Sequence, residues 1–469
     1  MISGRTSGNF LAGLLAILML VLGAGPALGT TSSQGRFRPG ASGVGDDYFP
    51  LAGNGGYNVA HYDLWLDYIP ADNQLNAIVR IKARATKNLS SFNLDFRGFD
   101  IRTLTVDGRR ARYVRDGQEL TVFPRQKLDR GERFVVRVSY EGQPQNLVDA
   151  DGFPYGWIPT DDGSFVANEP DGAPTWYPVN DHPTDKASYT FVIRVPKGYT
   201  AVANGLLVGR KKFKKSTTFV WDSDDQMASY LSTASIGRFE LRKSRLPNGL
   251  PNIDAIDVDL LDEDLSALEA TPDMLDYFDG VFGRYPFESV GAIVDDADAG
   301  YALETQTRPI YSGPPSESTV AHELAHQWVG NYVSPGRWQD IWLNEGFATY
   351  SEWLWDEATG GPTVDATFDD LYTVDAADSE FWNPPPGDPG PDHLFAGSVY
   401  VRGAMTLQVL RRTVGDDAFF EILHDWINKY ADSTATTPDF IALAERVSGQ
   451  QLDALFDAWL YQEGKPDLP

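Results

Sequence analysis

The chain has 469 residues, of which 42% are hydrophobic and 12% aromatic, an ordinary globular composition with room for two or three well-buried domains. Its formal net charge is −27, and such an acidic surface argues against nucleic acid or an anionic membrane as a partner. It has no cysteine, so disulfide bonds and cysteine lipidation are excluded and the fold depends on its core alone.

Residues 1–29 are typical of a signal peptide. Arg5 marks the basic start, residues 10–22 form a short apolar stretch, and Ala27 and Gly29 supply small residues for cleavage. The apolar stretch is too short to span a bilayer, and no later run is comparable. We therefore expect a secreted, extracellular protein that has no membrane contact once the signal peptide is removed.

The N-terminal part of the remaining chain has the pattern of a β-structure. Residues 30–46 are rich in Gly and Ser and are predicted to be a flexible lead-in. Over 47–245, apolar residues recur at every second position, most clearly at 62–68, 77–83 and 134–140, and Asp-Gly and Asn-Gly pairs separate the runs. This pattern predicts an N-terminal antiparallel β-domain.

From 246 to 469 the apolar spacing becomes mainly helical. We expect a helix over 266–282, a short strand over 290–294, and a late helix between a Thr-Pro-Asp start at 437–439 and a Ser-Gly stop at 448–449. The fold class predicted for the whole chain is therefore α+β, with a β-domain followed by a mainly helical domain.

The most specific motif in the chain is H-E-x-x-H at 322–326. On an α-helix this spacing returns His322 and His326 to one face, one turn apart, so that both can bind one cation while Glu323 points toward the same volume. Ser316 can cap the start of such a helix, and Gly330 can end it. With six histidines in the chain, a chance match is expected about once in a hundred such chains or less, so we favour a metal site over a surface helix with incidental histidines.

A catalytic zinc ion takes three protein ligands and keeps a fourth position open for water. Glu345 follows His326 by nineteen residues and begins a second helical run over 344–354, which a Ser-Pro-Gly turn at 334–336 allows to fold back antiparallel to the first. Alone, Glu345 would be read as an exposed first-turn residue. Together with the first motif it is the expected third ligand of one zinc ion per chain.

Two neighbours of these ligands are candidates for further roles. Glu323 adjoins His322 without having ligand spacing, so it is placed to act as the general base that takes a proton from water and passes it to a leaving amine. Asn344, next to Glu345, is a candidate hydrogen-bond partner for a histidine N–H, although an Asn before a helix is often only a cap.

These residues resemble a known family. His322 and His326, eighteen intervening residues, and Glu345 within Trp-Leu-Asn-Glu-Gly-Phe-Ala at 342–348 resemble the gluzincin signature of the aminopeptidase N family. The resemblance extends from Asn58 to the Asp-Ala-Trp-Leu ending at 457–460. It implies a saddle-shaped β-domain followed by a thermolysin-like catalytic domain.

The resemblance also implies further catalytic and binding residues. Tyr400, within Tyr-Val-Arg-Gly where the family usually has Tyr-Glu-Lys-Gly, would donate to the developing oxyanion. Glu304 matches the glutamate of the family's Gly-Ala-Met-Glu-Asn motif, although Thr305 replaces the Asn. Glu169 matches a second family glutamate, although Ala167 replaces the usual glutamine before it. Glu169 and Glu304 would together bind the α-ammonium group of a peptide.

We therefore expect a secreted zinc aminopeptidase that acts on peptides with a free N-terminus. The chain stops soon after Trp459, so the large C-terminal helical domain of longer family members is expected to be absent, leaving a more open site. Two alternatives remain open at this point: a zinc endopeptidase with the same centre, and a catalytically silent peptide-binding protein on the same fold.

Overall fold

A computed structural model describes residues 36–468 of the chain, and the N-terminal half of this range consists mainly of β-strands. The predicted signal peptide lies outside the described residues. From Phe37 onward the chain forms one compact unit. Among the helices that the model describes, none combines the length and the apolar character needed to cross a bilayer.

In chain order the strands are β1 Arg38–Pro39, β2 Tyr57–Ile69, β3 Gln74–Ala85, β4 Leu89–Ser91, β5 Asp100–Val106, β6 Arg109–Arg110, β7 Arg112–Asp116, β8 Glu119–Phe123, β9 Arg133–Gly142, β10 Asn146–Val148, β11 Pro154–Pro159, β12 Ser164–Ala167, β13 Ala187–Pro196, β14 Thr200–Ala203, β15 Leu206–Lys212, β16 Ser216–Met227, β17 Ala234–Gly237, β18 Phe239–Arg245, β19 Pro251–Asp257, β20 Ile293–Asp295, β21 Ala302–Leu303, β22 Ile310–Ser312, β23 Val333–Pro335 and β24 Ser433–Ala435.

An eight-stranded sheet with the order β15-β16-β13-β2-β3-β9-β5-β6 forms the larger part of the N-terminal half. The three predicted runs lie in its neighbouring strands β2, β3 and β9, whose alternating side chains are buried against the core. Its pairs are antiparallel except β2 and β13, which run parallel. The parallel pair is possible because a long connection separates β2 from β13 in the chain. Part of that connection forms strands β10, β11 and β12 of a five-stranded sheet with the order β10-β11-β12-β17-β14.

The predicted flexible lead-in is wrong for the part of it that belongs to the compact unit. Strand β1 pairs with β4, and Asp46 is buried. The Asp46 carboxylate accepts hydrogen bonds from the backbone N–H groups of Tyr48, Phe49 and Trp338 at 2.9, 3.1 and 2.8 Å. These bonds satisfy the polar groups of a segment whose Gly-rich composition alone indicates mobility.

The C-terminal half is mainly helical, as predicted. Its helices are α1 Thr271–Phe282, α2 Glu317–Ala325, α3 Trp342–Ala358, α4 Val364–Tyr372, α5 Ser379–Trp382, α6 Gly397–Val414, α7 Asp416–Lys429, α8 Thr437–Ser448 and α9 Asp453–Phe456.

Two predicted elements begin later than expected. The helix predicted over 266–282 starts as a 3-10 turn at Ser266–Ala270 and becomes α-helical only at Thr271, where Pro272 suits a first turn. The strand predicted over 290–294 lies at Ile293–Asp295. The late helix α8 agrees with its start and stop signals, with a capping box at Thr436 and a left-handed Gly449.

Another five-stranded sheet, with the order β18-β19-β20-β22-β21, joins the two halves. The predicted boundary at 245/246 falls in the hairpin between β18 and β19, which pair along their whole length from Phe239 with Asp257 to Arg245 with Pro251. The domain division at that point stays a prediction. The hairpin matters for the site because this sheet leads through β21 to Glu304.

Candidate metal centre

Helix α2 carries the first motif, and its capping explains where it begins. The Ser316 hydroxyl accepts a hydrogen bond from the Thr319 N–H at 3.1 Å, as an N-cap residue should. His322 lies in the last turn, and His326 is the residue that caps the C-terminal end. The helix therefore ends before Gly330, earlier than the sequence suggested, yet both imidazoles lie on the predicted common face.

The three predicted ligands converge. Nε2 of His322 lies 3.3 Å from Oε2 of Glu345, and Nε2 of His326 lies 3.4 Å from the same oxygen. One nitrogen or oxygen atom from each residue fits within a mutual distance of 4.8 Å. Two imidazole nitrogens and one carboxylate oxygen around one small volume are the donor set that zinc takes in hydrolases with an open fourth position.

Helices α2 and α3 run antiparallel, and this brings Glu345 beside the histidines. The Trp355 indole N–H donates to Glu317 at 2.8 Å near one end of the pair, and Glu345 faces His326 at the other. A residue earlier in α2 thus contacts a residue later in α3. The fold-back predicted from the turn at 334–336 is present.

The other ring nitrogen of each histidine is held by a hydrogen bond that fixes its orientation. Nδ1 of His326 lies 3.0 Å from the Val329 carbonyl oxygen. Because a carbonyl can only accept, Nδ1 carries a proton, and Nε2 is the ring nitrogen that is directed at Glu345. Nδ1 of His322 lies 2.7 Å from Oε1 of Glu352, which fixes this ring in the same way. Burial alone would lower the pKa of both imidazoles, but the carboxylates around them, Glu345 among them, raise it. A metal ion bound at the two Nε2 atoms would take the place of the protons that this arrangement favours.

Glu352 was missed by the sequence analysis. A signal existed, because Glu352 follows Glu345 by seven residues, two helical turns, and so lies on the same face of α3. The Val329 carbonyl has no such signal, since any residue has a backbone oxygen. The hypothesis that Asn344 binds a histidine N–H is wrong: both Nδ1 atoms have other partners, and the Asn344 amide donates to the Tyr230 hydroxyl at 3.4 Å.

The two glutamates next to the histidines have opposite electrostatic surroundings. Burial alone raises the pKa of Glu345, but the adjacent His326 and His322 reverse the effect and hold it below its usual range. Burial also raises the pKa of Glu323, and there the histidines compensate only in part. Oε2 of Glu323 is buried and has no hydrogen-bond partner among the residues that the structure describes. Glu345 thus favours the charged form that a ligand needs, whereas the raised pKa of Glu323 makes its carboxylate a stronger proton acceptor than an exposed glutamate.

Glu169 and Glu304 meet beside the metal ligands, although 134 residues separate them in the chain. Glu169 follows β12, and Glu304 follows β21. One carboxylate oxygen from each lies within 4.8 Å of the other and of Glu345. Both side chains are buried, and within the described part of the chain the Oε1 atom of each has no hydrogen-bond partner. Burial and then the charge of Glu304 raise the pKa of Glu169, which indicates a site that lacks a cation.

The backbone of Glu304 is fixed from the metal-binding segment itself. The side-chain amides of Gln327 and Asn331 donate to its carbonyl oxygen at 3.2 and 2.7 Å. Both amides lie just beyond His326 in the chain and are buried. They connect the end of strand β21 directly to the metal centre, and the sequence analysis did not single them out.

Tyr400 lies on helix α6 with its ring stacked on that of His322, at a centroid distance of 6.0 Å and an interplanar angle of 23°. Helix α6 reaches this position because it packs closely on α3: a Cβ atom on Gly346 would lie 2.9 Å from the backbone of Gly403. Burial and then the charge of Glu345 raise the pKa of Tyr400, so that its hydroxyl keeps its proton. The two glycines of the sequence motifs thus place a hydrogen-bond donor over the metal ligands.

All seven predicted site residues line one cavity of about 400 Å³. Segments from both halves of the protein form its walls. The aromatic side chains of Phe153, Tyr155, Tyr301 and Phe395 border the same space. The cavity therefore combines converging metal ligands and carboxylates with aromatic side chains that a substrate side chain could contact.

Two family models match the chain. Residues 58–231 match the Peptidase M1 N-terminal domain, and residues 302–459 match the Peptidase family M1 domain. Among curated proteins, the chain is 28% identical over 366 residues to a probable aminopeptidase 2 of Sulfurisphaera tokodaii, covering 71% of this chain and 45% of that one. It is 29% identical over 333 residues to human glutamyl aminopeptidase, covering 65% and 35% of the two chains. The chain thus spans about half or less of the length of these relatives.

Among solved structures, the M1 zinc metallopeptidase of Deinococcus radiodurans superposes with a TM-score of 0.85 at 30% identity. The match covers 91% of this chain and 98% of that one. A variant of the Deinococcus enzyme bound to a Tyr-Ser-Ala substrate matches with the same TM-score and identity, covering 91% and 99% of the two chains.

Proposed function

Because this chain belongs to peptidase family M1, we propose that it is a zinc-dependent aminopeptidase that removes the N-terminal residue of peptides and acts outside the cell. The observation that supports this most directly is the pair of buried carboxylates, Glu169 and Glu304, beside His322, His326 and Glu345. In each carboxylate of the pair, one buried oxygen has no hydrogen-bond partner from residues 36–468. Buried anions of this kind are costly unless a cation meets them, and the α-ammonium group of a peptide is such a cation.

The ammonium site sets which bond is cut. Glu169 and Glu304 bind the first residue of the substrate through its amino group, so that the first peptide bond lies next to the metal ligands. A zinc ion bound by His322, His326 and Glu345 would polarise the carbonyl group of that bond and lower the pKa of a water molecule. A peptide without a free amino group would leave both carboxylates unpaired, which disfavours binding.

Glu323 and Tyr400 complete the reaction. Glu323 takes a proton from the attacking water and transfers it to the nitrogen of the departing peptide, so that the C–N bond breaks and an amine leaves. The Tyr400 hydroxyl donates to the oxygen on which negative charge develops. Both side chains border the same cavity as the metal ligands, so one bound peptide can contact both.

Peptides are the proposed substrates, by analogy with the Deinococcus relative and its Tyr-Ser-Ala substrate. The aromatic side chains that border the cavity would contact the side chain of the first residue of the peptide. Export is proposed from the sequence of residues 1–29 alone. Expression in a secreting bacterial host, followed by an assay of medium and cells for the full chain and for a chain lacking residues 10–22, tests it; equal amounts in the medium would contradict export by a signal peptide.

The exopeptidase proposal is tested with a matched pair of peptides that differ only by acetylation of the N-terminus. We expect the zinc-loaded protein to cleave the free peptide with a kcat/KM at least roughly a hundredfold higher, since the acetylated peptide lacks a charged hydrogen-bond donor for two carboxylates. Equal cleavage of both peptides would favour the endopeptidase alternative. Zinc binding with no cleavage of either would favour the catalytically silent binding protein.

A further inference from the structure

A second cavity, of about 560 Å³, lies at the edge of the sheet that joins the two halves and shares no lining residue with the catalytic cavity. Seven aspartates and one arginine are among its lining residues, and no lysine or histidine is among them. Such a concentration of one charge around a concave surface is unfavourable unless cations balance it.

Two of the aspartates are brought together by strand register. Strands β19 and β20 pair in parallel, with Ile256 opposite Val294. Asp257 and Asp295 are the next residues, and each is the last residue of its strand. The carboxyl ends of neighbouring parallel strands lie at the same edge of a sheet, so these two carboxylates are neighbours.

The single arginine of the cavity is already engaged. Arg238 donates to Asp162 at 3.2 Å and to Asp259 at 3.0 Å. Among the described residues, the Asp257 carboxylate accepts one hydrogen bond, from the backbone N–H of Asp259 at 2.8 Å. Within residues 36–468, neither Asp257 nor Asp295 forms an ion pair, and Arg238 acts on Asp257 only from a longer distance.

The burial of Asp295 is a second observation that indicates a bound ligand, separate from the number of aspartates around the cavity. Only 2% of its surface is exposed, it lines the cavity, and its buried Oδ2 has no hydrogen-bond partner among residues 36–468. Burial and then the charges of Asp257 and Asp162 raise the pKa of Asp295, as expected for a carboxyl that lacks a cation. An unpaired carboxylate at this depth is rare in folded proteins unless it binds an ion or holds a proton.

We propose that this cavity binds a divalent cation of the calcium class, with Asp257 and Asp295 as its buried ligands. The donors available are oxygen atoms, which hard cations such as Ca²⁺ prefer, and the cavity offers no nitrogen or sulfur ligand of the kind that selects zinc. Asp162 and the exposed Asp296 and Asp298 of the following loop supply the remaining carboxylates.

Calcium fits this arrangement better than a small, rigidly octahedral ion. Among the described residues, groups of three ligand atoms within 4.8 Å of one another occur at the metal centre and not in the second cavity. An ion in the second cavity must therefore draw its carboxylate ligands closer together. Ca²⁺ accepts six to eight oxygen atoms, including water, in flexible geometry. Asp296 and Asp298 are exposed loop residues, and loop side chains can follow the ion.

The position of the cavity gives the ion a consequence for the catalytic site. The loop that holds Asp296 and Asp298 continues through Gly300 and β21 to Glu304, and the loop that holds Asp162 continues through β12 to Glu169. A cation that bridges the two loops would fix the bases of both segments that lead to the ammonium site. We expect Ca²⁺ to raise the thermal stability of the protein and to rigidify these two segments.

The test measures binding and stability, so its outcome does not depend on the proposed enzymatic function. Calorimetric titration of the zinc-loaded protein with CaCl₂ should give one saturable site with a Kd of about 10⁻⁴–10⁻³ M, and Tm should rise with the Ca²⁺ concentration. Asp295→Asn and Asp257→Asn should each weaken binding at least tenfold. Asp276→Asn, an exposed residue of α1 outside the cavity, is the matched control and should bind Ca²⁺ as the wild type does.

A crossover in stability distinguishes a cation site from a structural carboxyl. In calcium-free buffer at neutral pH, Asp295→Asn should have a higher Tm than the wild type, because the neutral amide removes charge repulsion; with saturating Ca²⁺ the order should reverse. No saturable binding to the wild type up to about ten times the upper Kd, unchanged binding by both Asp295→Asn and Asp257→Asn, or equal Tm gains from CaCl₂ and from KCl of the same ionic strength would overturn the proposal. If Asp295→Asn does not fold, Asp257→Asn decides in its place.

Discussion

The Glu352 carboxylate lies 2.7 Å from Nδ1 of His322 and holds that ring with its opposite nitrogen directed at Glu345. The Ser318 hydroxyl, one turn earlier on α2, donates to the second oxygen of the same carboxylate at 2.5 Å. Glu352 is thus held by two residues of α2, and it restricts the rotation of a metal ligand that would otherwise adopt several orientations.

We therefore expect Glu352→Gln to weaken zinc binding by about tenfold to a hundredfold, since partners of this kind typically contribute that much to metal affinity. Glutamine keeps the size of the side chain but loses its charge. Competition with a chromogenic chelator measures the Kd for zinc. Asp356→Asn, one turn further along α3 and exposed, is the matched control; equal zinc affinity of Glu352→Gln and the control would contradict a positioning role.

Substitutions at neighbouring positions of α2 should separate metal binding from catalysis. His322→Ala removes a ligand and should lose zinc and activity together. Glu323→Gln keeps all three ligands, so it should retain one zinc ion per chain and lose most of its turnover. Metal analysis of the purified variants, together with peptide cleavage, gives both quantities. Near-normal turnover by zinc-loaded Glu323→Gln would mean that another group acts as the base.

Tyr400→Phe should lower kcat by roughly a hundredfold to a thousandfold with little change in KM, which is the usual effect of removing one oxyanion donor. The phenylalanine ring can keep the contact with His322, so zinc content should stay that of the wild type. Steady-state kinetics on one peptide measures both constants. A change confined to KM would assign Tyr400 to substrate binding instead.

The sequence alone predicted those parts of the site that depend on local spacing. A helix brings His322 and His326 to one face whatever surrounds them. The comparisons confirm the family resemblance, the α+β fold and the zinc cofactor, and the structure brings the three predicted ligands together. Glu345 needed one further assumption, that an intervening turn folds the chain back. That assumption agrees with the antiparallel contact of α2 and α3.

The rest depended on contacts that no local pattern encodes. Glu169 and Glu304 come from separate sheets, and only the resemblance singled them out. The Val329 carbonyl is a backbone group, and Asn344 faces Tyr230 because closer partners already occupy both Nδ1 atoms. The supposed flexible lead-in is fixed by one aspartate, Asp46, whose partners lie up to 292 residues away.

Glu169→Gln and Glu304→Gln test the ammonium site directly. A hydrogen bond to a charged group is worth about 1.5–3 kcal/mol, so each variant should lose roughly tenfold to a hundredfold or more in kcat/KM on a peptide with a free N-terminus. Cleavage of the acetylated counterpart should be no worse than before, because the metal ligands, Glu323 and Tyr400 remain. An equal loss on both peptides would contradict recognition of the ammonium group.

Asp46 connects three parts of the chain. Besides the N–H groups of its own segment, its carboxylate meets the N–H of Trp338 in the catalytic half and lies 3.3 Å from Nε2 of His182 in the β-domain. Asp46→Asn places amide hydrogens against these donors. We expect it to lower the free energy of unfolding at pH 7 by about 2–3 kcal/mol, as loss of a buried charged hydrogen-bond network does.

The same residue predicts how stability depends on pH. Burial alone would raise the pKa of Asp46, but the hydrogen bonds from His182, Trp338, Phe49 and Tyr48 lower it from 3.8 to about 2. A carboxyl whose pKa is lower in the folded state contributes stability that is fully present above pH 3.8 and is lost as the pH falls toward 2. The shift in pKa corresponds to about 2 kcal/mol of stability.

The difference in Tm between wild type and Asp46→Asn, measured from pH 7 down to pH 2.5 at matched ionic strength, should therefore shrink below about pH 4. Loss of zinc at acidic pH affects both proteins and cancels in that difference. A gap that stays constant across this range would mean that Asp46 stabilises the fold by shape alone.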